Sequence, residues 1–537
     1  MPEVTTNPEV QNADHTARYD VEAIRGFGLE QTANFLGYEG YLGDSYINHM
    51  REKLSSFISS LDREVIESLR NSGGVVGLAI NMGLGHIRVM IPIFKLCQIL
   101  GIPTTRIVIG DKNRENVDRH IHPFVSSIVK AALQAYEEES LKLAYDQGMT
   151  TVLIEPRTED LSRRAFERVI ALIHGKRSLS EEERHRFIMG MFSAVEDNSS
   201  MQELVGGGLF GFFLRRIFDH VHAKNIVFTH PIFSVIASSK AGKLFLREAY
   251  NIISVATDAI VASTWLKDFR LLVETEEAKE KLIKDCGDRA NNQVIVAEGL
   301  VSPLSSLLSE NLYTERRKLV QQGEPLTCLL TASGVAPVQE ASFKEFLTEN
   351  AERIASGEIR VVIQSGYGYM GSLLYEKLSI HISKLGLQGE VLMHWHETAI
   401  GAVEFAEAVT LEEIPLVLVT KGGEMTRVAV TLPVPQIVTG AISEHEIHNI
   451  STSMNQNAPI FVLPHIAEGI LQEAMKIWGN QEIDGLQELL NAFAIDSYET
   501  ALLNAREFYL SGQMPQVNRA AVWMVLEELV RNQRDQA

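Results

Sequence analysis

Short runs of β-branched and aliphatic residues, each followed by a turn and then by a longer stretch with helix-like spacing of apolar positions, recur along most of this chain. The first run, Val75-Val76-Gly77-Leu78-Ala79-Ile80, leads through Gly83-Leu84-Gly85-His86 into an apolar stretch from Ile87 to Leu100. This pattern predicts a strand, a glycine turn and a helix. Further runs at Arg106 to Ile109, Thr151 to Ile154, Asn225 to Thr229, Ala259 to Ser263 and Gln293 to Ala297 are separated by enough chain for a crossover. Alternation of this kind predicts a parallel, doubly wound α/β sheet. From Pro303 to Gly323 the chain turns polar and helical, and the strand pattern restarts at Leu326-Thr327-Cys328-Leu329-Leu330-Thr331. It continues at Arg360 to Ile363, Glu390 to Met393, Leu416 to Val419, Gln436 to Val438 and Ile460 to Leu463. The restart predicts a second α/β domain rather than one continuous sheet.

Both flanks read as helical. Tyr41, Ile47, Leu54, Ile58 and Leu61 recur at helical spacing within Val21 to Leu69, and Leu489, Leu490, Ala492, Phe493, Ala520, Val522, Leu526 and Leu529 mark helices between Gly485 and Arg534. The expected organisation is therefore a polar tail over 1–20, a helical extension over 21–70, a first Rossmann-like domain over 71–310, a second over 324–484, and closing helices over 485–537. A chain of 537 residues is too long for one core and long enough for two.

Composition narrows the classes. With 45% apolar and 22% charged residues, the chain has the makings of a packed globular protein. A net charge of −20 argues against non-specific binding to nucleic acid or to an anionic membrane, both of which reward Lys and Arg. Cys97, Cys286 and Cys328 are widely spaced and read as small buried hydrophobes in a reducing compartment. The polar, acidic stretch from Met1 to Asp20 has no signal-peptide pattern, and the most apolar glycine-containing run, Leu204 to Leu214, is shorter than the roughly 20 residues that span a bilayer. The expectation is a cytoplasmic protein without a transmembrane helix.

Two places invite chemistry. Gly83, Gly85 and His86 form a turn that opens a helix, where backbone N–H groups and the helix dipole favour an anion or a sugar hydroxyl. As a lone motif it serves equally well as a tight turn, because the third glycine of a dinucleotide fingerprint is missing. His86 has a side chain suited to general-base work near neutrality. His230, before Pro231, ends a strand at the sheet edge where open α/β folds bind ligands. The second place is Leu418-Val419-Thr420-Lys421-Gly422-Gly423-Glu424-Met425-Thr426, followed by Pro433, Pro435 and Glu444-His445-Glu446-Ile447-His448-Asn449. A strand ending in two glycines and a helix with Thr in its first turn suits a diphosphate held by backbone donors.

At these residues the sequence resembles the glycosyltransferases that include monogalactosyldiacylglycerol synthase, bacterial diacylglycerol glucosyltransferase and the peptidoglycan-lipid N-acetylglucosaminyltransferase. Their hallmark is a strand, a basic glycine turn with Thr, then Pro and a Glu- or Gln-xx-Asn element, matched in order by Thr420 to Thr426, Pro435 and Glu446 to Asn449. The resemblance implies two Rossmann-like domains facing across a cleft, the glycosyltransferase B type, with extra N-terminal and C-terminal helices. It places Gly423, Met425 and Thr426 at the donor diphosphate and nucleoside, and His445, Glu446 and Asn449 near the donor sugar, with Lys421, Gly422 and Glu424 of the same turn counted among the donor-binding residues. Ser333, Gly334, Ser365 and Gly366 stand where that family carries further donor-side glycine loops, and Gly83, Gly85 and His230 fall on the acceptor side. It further implies an inverting hexosyl transfer from a nucleotide sugar, UDP-linked in this family, to a lipid or small-molecule hydroxyl. His86 would then be the catalytic base, no cofactor or metal would be needed, and the closing helices would cross back onto the first domain.

One departure matters: the family places a ribose-binding Glu three residues after the Thr, where this chain has Ala429. That motivates a rival reading as a nucleotide-sugar-binding protein without turnover; a nucleotide-sugar epimerase of the same fold is a second rival. His394-Trp395-His396-Glu397 offers two metal-ligand types without a third, and no metal is expected. The glycines, aromatics and arginines of 204–216 fit a lid or a peripheral membrane contact, but more simply a buried helix start. Neither the sugar, nor the acceptor, nor an oligomeric state is written in the sequence.

Overall fold

The computed structural model describes residues 44–80, 84–109, 215, 218–219, 224–247, 250–256, 266, 269–297, 303–332, 336–396, 399–441, 444–479, 483–514 and 521–536. The expected strands at Thr151 to Ile154 and Ala259 to Ser263 and the segment 204–216, apart from Arg215, lie outside them.

Its strands come from the near-continuous aliphatic runs, because a strand covered on both faces has no reason to alternate. In the first half these are β1 (Val75–Ile80), β2 (Thr104–Ile109), β3 (Asn225–Phe228), β4 (Asn251–Val255), β5 (Arg270–Val273) and β6 (Val294–Val296). In the second they are β7 (Leu326–Thr331), β8 (Ile359–Tyr367), β9 (Val391–His396), β10 (Leu416–Thr420), β11 (Gln436–Val438) and β12 (Ile460–Val462). They make two six-stranded sheets in the orders β2-β1-β3-β4-β5-β6 and β12-β11-β10-β7-β8-β9. Every pairing is parallel. The fold is therefore α/β with two Rossmann-like sheets. Strands β4 and β5 occupy positions where no strand was expected.

The helices that matter below are α1 (Arg63–Asn71), α2 (Leu84–Ile99), α3 (Pro303–Gln321), α4 (Ala399–Thr410), α5 (Glu424–Thr431), α6 (Glu444–Asn455) and α7 (Ala521–Gln536). α1 begins where the Asp62 carboxylate accepts from the Glu64 amide, and it buries Val65, Ile66 and Leu69 along one face. It ends at a sharp reversal through Gly73 and Gly74. Gly74 has φ +87°, and a Cβ there would stand 2.0 Å from the Pro103 carbonyl oxygen, so only glycine admits the entry into β1.

The two sheets share one apolar core. Phe94 and Leu96 of α2, Val403 and Phe405 of α4, Leu272 of β5, Leu329 of β7, and Leu526 and Leu529 of α7 all belong to a single buried cluster. α7 follows the second sheet in sequence yet packs on the first. Asn251 Nδ2 donates to the Leu529 carbonyl at 2.6 Å and to Asn225 Oδ1 at 2.9 Å, Asn532 Nδ2 donates to Asn251 Oδ1 at 2.6 Å, and Arg270 pairs with Glu528 at 2.8 Å. Cys97 and Cys328 are buried in the apolar interior, which raises the thiol of Cys328 to about 12 and that of Cys97 further, while Cys286 is half-buried.

Candidate functional site

In an open parallel sheet, ligands bind beyond the carboxyl ends of the strands where the strand order reverses, because the two loops there part in opposite directions. In the first sheet the chain runs from β1 to β2 on one side and then resumes with β3 on the other, so the reversal lies between β1 and β3. In the second sheet it lies between β7 and β10.

The loops at the first reversal carry His86, in the first turn of α2, and Thr229-His230, directly after β3. Their rings meet edge to face with centroids 4.5 Å apart, and His86 Nδ1 lies 2.6 Å from the Thr229 carbonyl oxygen. A carbonyl only accepts, so Nδ1 carries the hydrogen and Nε2 carries the lone pair of the neutral ring. His230 is buried, and desolvation together with the neighbouring His86 pushes its pKa well below the usual histidine value. Gly85 is half-buried beside them, and Gly83 lies outside the described residues.

At the second reversal, β10 ends in Thr420 and the turn Lys421-Gly422-Gly423 opens α5. Lys421 Nζ sits 2.5 Å from Glu446 Oε1. Thr426 Oγ1 donates to the Lys421 carbonyl at 3.2 Å and accepts from Gln436 Nε2 at 3.0 Å. Met425 and Asn449 are buried as well. Gly422 lets α6 approach the turn: a Cβ there would stand 2.6 Å from both the Glu446 carbonyl oxygen and Ile450 Cδ1. Gly423, by contrast, is half-buried, caps α5 without any side-chain hydrogen bond, and faces open space where its Cβ would lie. His445 is exposed in the first turn of α6. Glu424 occupies the first position of α5.

The remaining donor-side candidates divide. Ser365 is buried and its hydroxyl lies 3.0 Å from the His394 carbonyl and 3.1 Å from that of Gly371, so it braces the strand end from inside. Gly366 adopts φ +101° at the same place. Ser333 and Gly334 lie outside the described residues. The structure thus brings Lys421, Gly422, Thr426 and Glu446 together as one unit and His86 with His230 as another. What it presents outward at the turn is the Gly423 end of α5; the Gly423 amide donates to the Lys421 carbonyl at 2.8 Å and the Thr426 amide to the Gly423 carbonyl at 3.0 Å, which leaves the Glu424 and Met425 amides as the helix-start donors without an intrahelical acceptor.

β9 extends through His394 and His396, whose rings stand parallel 6.3 Å apart and pack on Phe405. Among the described residues no three His, Cys, Asp or Glu side chains are grouped to hold a metal ion. An open depression of about 590 Å³ lined by Ser68, Asn71, Ser72, Gly73, Lys224 and Gln533 lies at the amino ends of β1 and β3, the edge of the sheet opposite His86.

Sequence reasoning missed Glu274, Arg427 and Ser453. Arg427 of α5 pairs with Glu274, directly after β5, at 3.2 Å, and also donates to Ser453 Oγ of α6 at 2.9 Å. Glu274 and Arg427 read singly as ordinary strand-end and helix charges and Ser453 as an ordinary polar helix residue, and nothing in the sequence joins them.

The sequence matches no family model and no curated protein. Among solved structures the chain is similar to the glycosyltransferase VinC in complex with dTDP, at 11% identity and a TM-score of 0.34, over 86% of this chain and 100% of that one. At that distance the likeness carries no weight for function, and the fold rests on the two parallel sheets themselves. No helix among the described residues is long and apolar enough to cross a membrane.

Proposed function

We propose that this chain is a glycosyltransferase of the B type, moving a hexose from a nucleotide sugar to an acceptor hydroxyl with inversion. The observation that carries the reading is positional: both clusters picked out by sequence chemistry stand at the two reversal points, one per sheet. In this reading the Gly423 end of α5 holds the donor diphosphate through backbone amides, and His86 holds the acceptor hydroxyl. The acceptor oxygen attacks the anomeric carbon, its proton passes to His86 Nε2, and the bond from that carbon to the diphosphate oxygen breaks with its electron pair leaving on the nucleoside diphosphate. Positive dipole at the start of α5 offsets the charge that develops there. Lys421 acts on the turn from beneath, through Glu446, rather than on the phosphate. UDP is the expected nucleotide, and a small molecule or lipid headgroup the expected acceptor, both from the family resemblance around Lys421 to Asn449.

One observation favours a second reading. Ala429 replaces the ribose-binding carboxylate, and the nearby Glu446 is already engaged by Lys421, so a protein that binds a nucleotide sugar without turning it over fits the same geometry. Calorimetric titration with a panel of nucleotide sugars, joined to assays of transfer and donor hydrolysis, separates the two. Binding with transfer supports the enzyme, binding with neither activity supports the binding protein, and no binding of any nucleotide sugar or diphosphate removes both.

A further inference from the structure

Two buried charges join the domains one turn into the helix that the glycine turn opens. Arg427 on α5 directs Nε to Glu274 Oε2 at 3.2 Å and Nη1 to Ser453 Oγ at 2.9 Å, and both ion-pair side chains are 1% exposed. Glu274 stands at the carboxyl end of β5, on the same edge of the first sheet as His86 and His230. Beside this pair Thr452 Oγ1 of α6 donates to Glu277 Oε2 at 3.3 Å, in the helix Glu276–Cys286 that follows β5.

We propose that Glu274 and Arg427 are a positioning pair that sets the angle of α5, and with it the ligand-facing end at Gly423, against the first sheet. The proposal rests on the reading of that end as the donor diphosphate site. Holding the domains together does not require an ion pair here, since a continuous apolar cluster already spans both sheets. An apolar pair of similar volume would hold them at least as firmly, because burying two charges forfeits their hydration. What the guanidinium adds is direction: its planar fork fixes angle as well as distance to a carboxylate and a hydroxyl at once. Elements β5, α5 and α6 meet at that fork, and α6 is the helix whose Glu446 holds Lys421 under the turn.

The test uses the full chain as wild type and as Glu274→Gln, Arg427→Met, Arg427→Lys and the double variant Glu274→Gln/Arg427→Met. Hydrogen exchange is followed over residues 424–431, with β1 and β7 as references, and each protein is titrated with uridine diphosphate. Glu274→Gln and Arg427→Met are expected to speed exchange in α5 by about tenfold or more with β1 and β7 unchanged, and to weaken diphosphate binding by a similar factor. Arg427→Lys, which keeps the charge but loses the planar fork, is expected to remain within about threefold of Arg427→Met in both readouts, and wild-type values in it would overturn the directional role. Unchanged exchange in α5, or equal loss of protection across β1, β7 and α5, overturns the proposal. If the single variants fail to fold, the double variant decides: wild-type exchange in its α5 overturns the positioning role, and faster exchange confined to α5 supports it. A wild-type chain that binds no uridine diphosphate, while the variants still loosen α5, removes the transferase reading and leaves the pair standing.

Discussion

Lys421 Nζ lies 2.5 Å from Glu446 Oε1, and each side chain is 5% exposed, so a charge at the glycine turn is neutralised within the protein. Removing one partner strands the other charge out of water, whereas removing both leaves only a small void. Lys421→Met or Glu446→Gln is therefore expected to destabilise the fold by about 3–5 kcal/mol, and Lys421→Met/Glu446→Leu by much less. Urea denaturation of the three variants checks this, and equal losses in all three would contradict it.

The two glycines of the turn are expected to behave oppositely. At Gly422 an added methyl meets the Glu446 carbonyl and Ile450, so Gly422→Ala must push α6 away, at about 1–3 kcal/mol. At Gly423 the same methyl meets nothing within 4 Å and φ is −69°, so Gly423→Ala should leave the melting temperature close to wild type. The pair can be compared by calorimetric melting; a tolerated Gly422→Ala would mean that α6 does not close on the turn as described.

Stability should fall in mild acid through His230. Its pKa is lowered in the folded state by burial and by His86, so between that value and the ordinary histidine value the unfolded chain binds more protons than the folded one. The His230 contribution is fully present above about pH 6.5 and is lost as pH falls below it, by up to ~1.4 kcal/mol per unit. His448, His381 and His49 are shifted the same way by burial and add to the slope. Melting from pH 8 to pH 5 should show a shallower decline in His230→Phe than in wild type.

For His86 the side chain's two nitrogens predict a split between placement and proton transfer. His86→Ala should lower the transfer rate by about 100-fold or more with the donor KM little changed. His86→Asn, which can still donate to the Thr229 carbonyl, should be equally slow, because it places a group there without a base. Initial rates over a donor series check both variants, and an Asn variant near wild-type rate would remove His86 as the base.

Most of the architecture was legible because β1, β7, β10 and β11 are runs of aliphatic residues bounded by turn residues, and their ends fall within one residue of the expected ones. β4 escaped notice because its buried run begins with Asn251 and includes Ser254, polar residues that find partners only in three dimensions: Asn251 on α7, and Ser254 on Ser234 at 2.6 Å. β5 hid behind Arg270, whose charge is answered by Glu528 far along the chain. At the site, the local motif disclosed which residues gather at the turn. It did not disclose that Lys421 and Glu446 satisfy each other, nor that Arg427 reaches Glu274, since a hydrogen bond between residues 153 positions apart leaves no trace in spacing.

The hydrogen bond from Asn251 to the carbonyl of Leu529 spans 278 residues of sequence. During translation β4 therefore leaves the ribosome long before the helix that covers it, by on the order of half a minute at ~5–20 residues per second. Throughout that interval the apolar positions of the first sheet that Leu526, Leu529 and Val530 come to cover are without that helix, so closure of this flank waits for the last part of the chain.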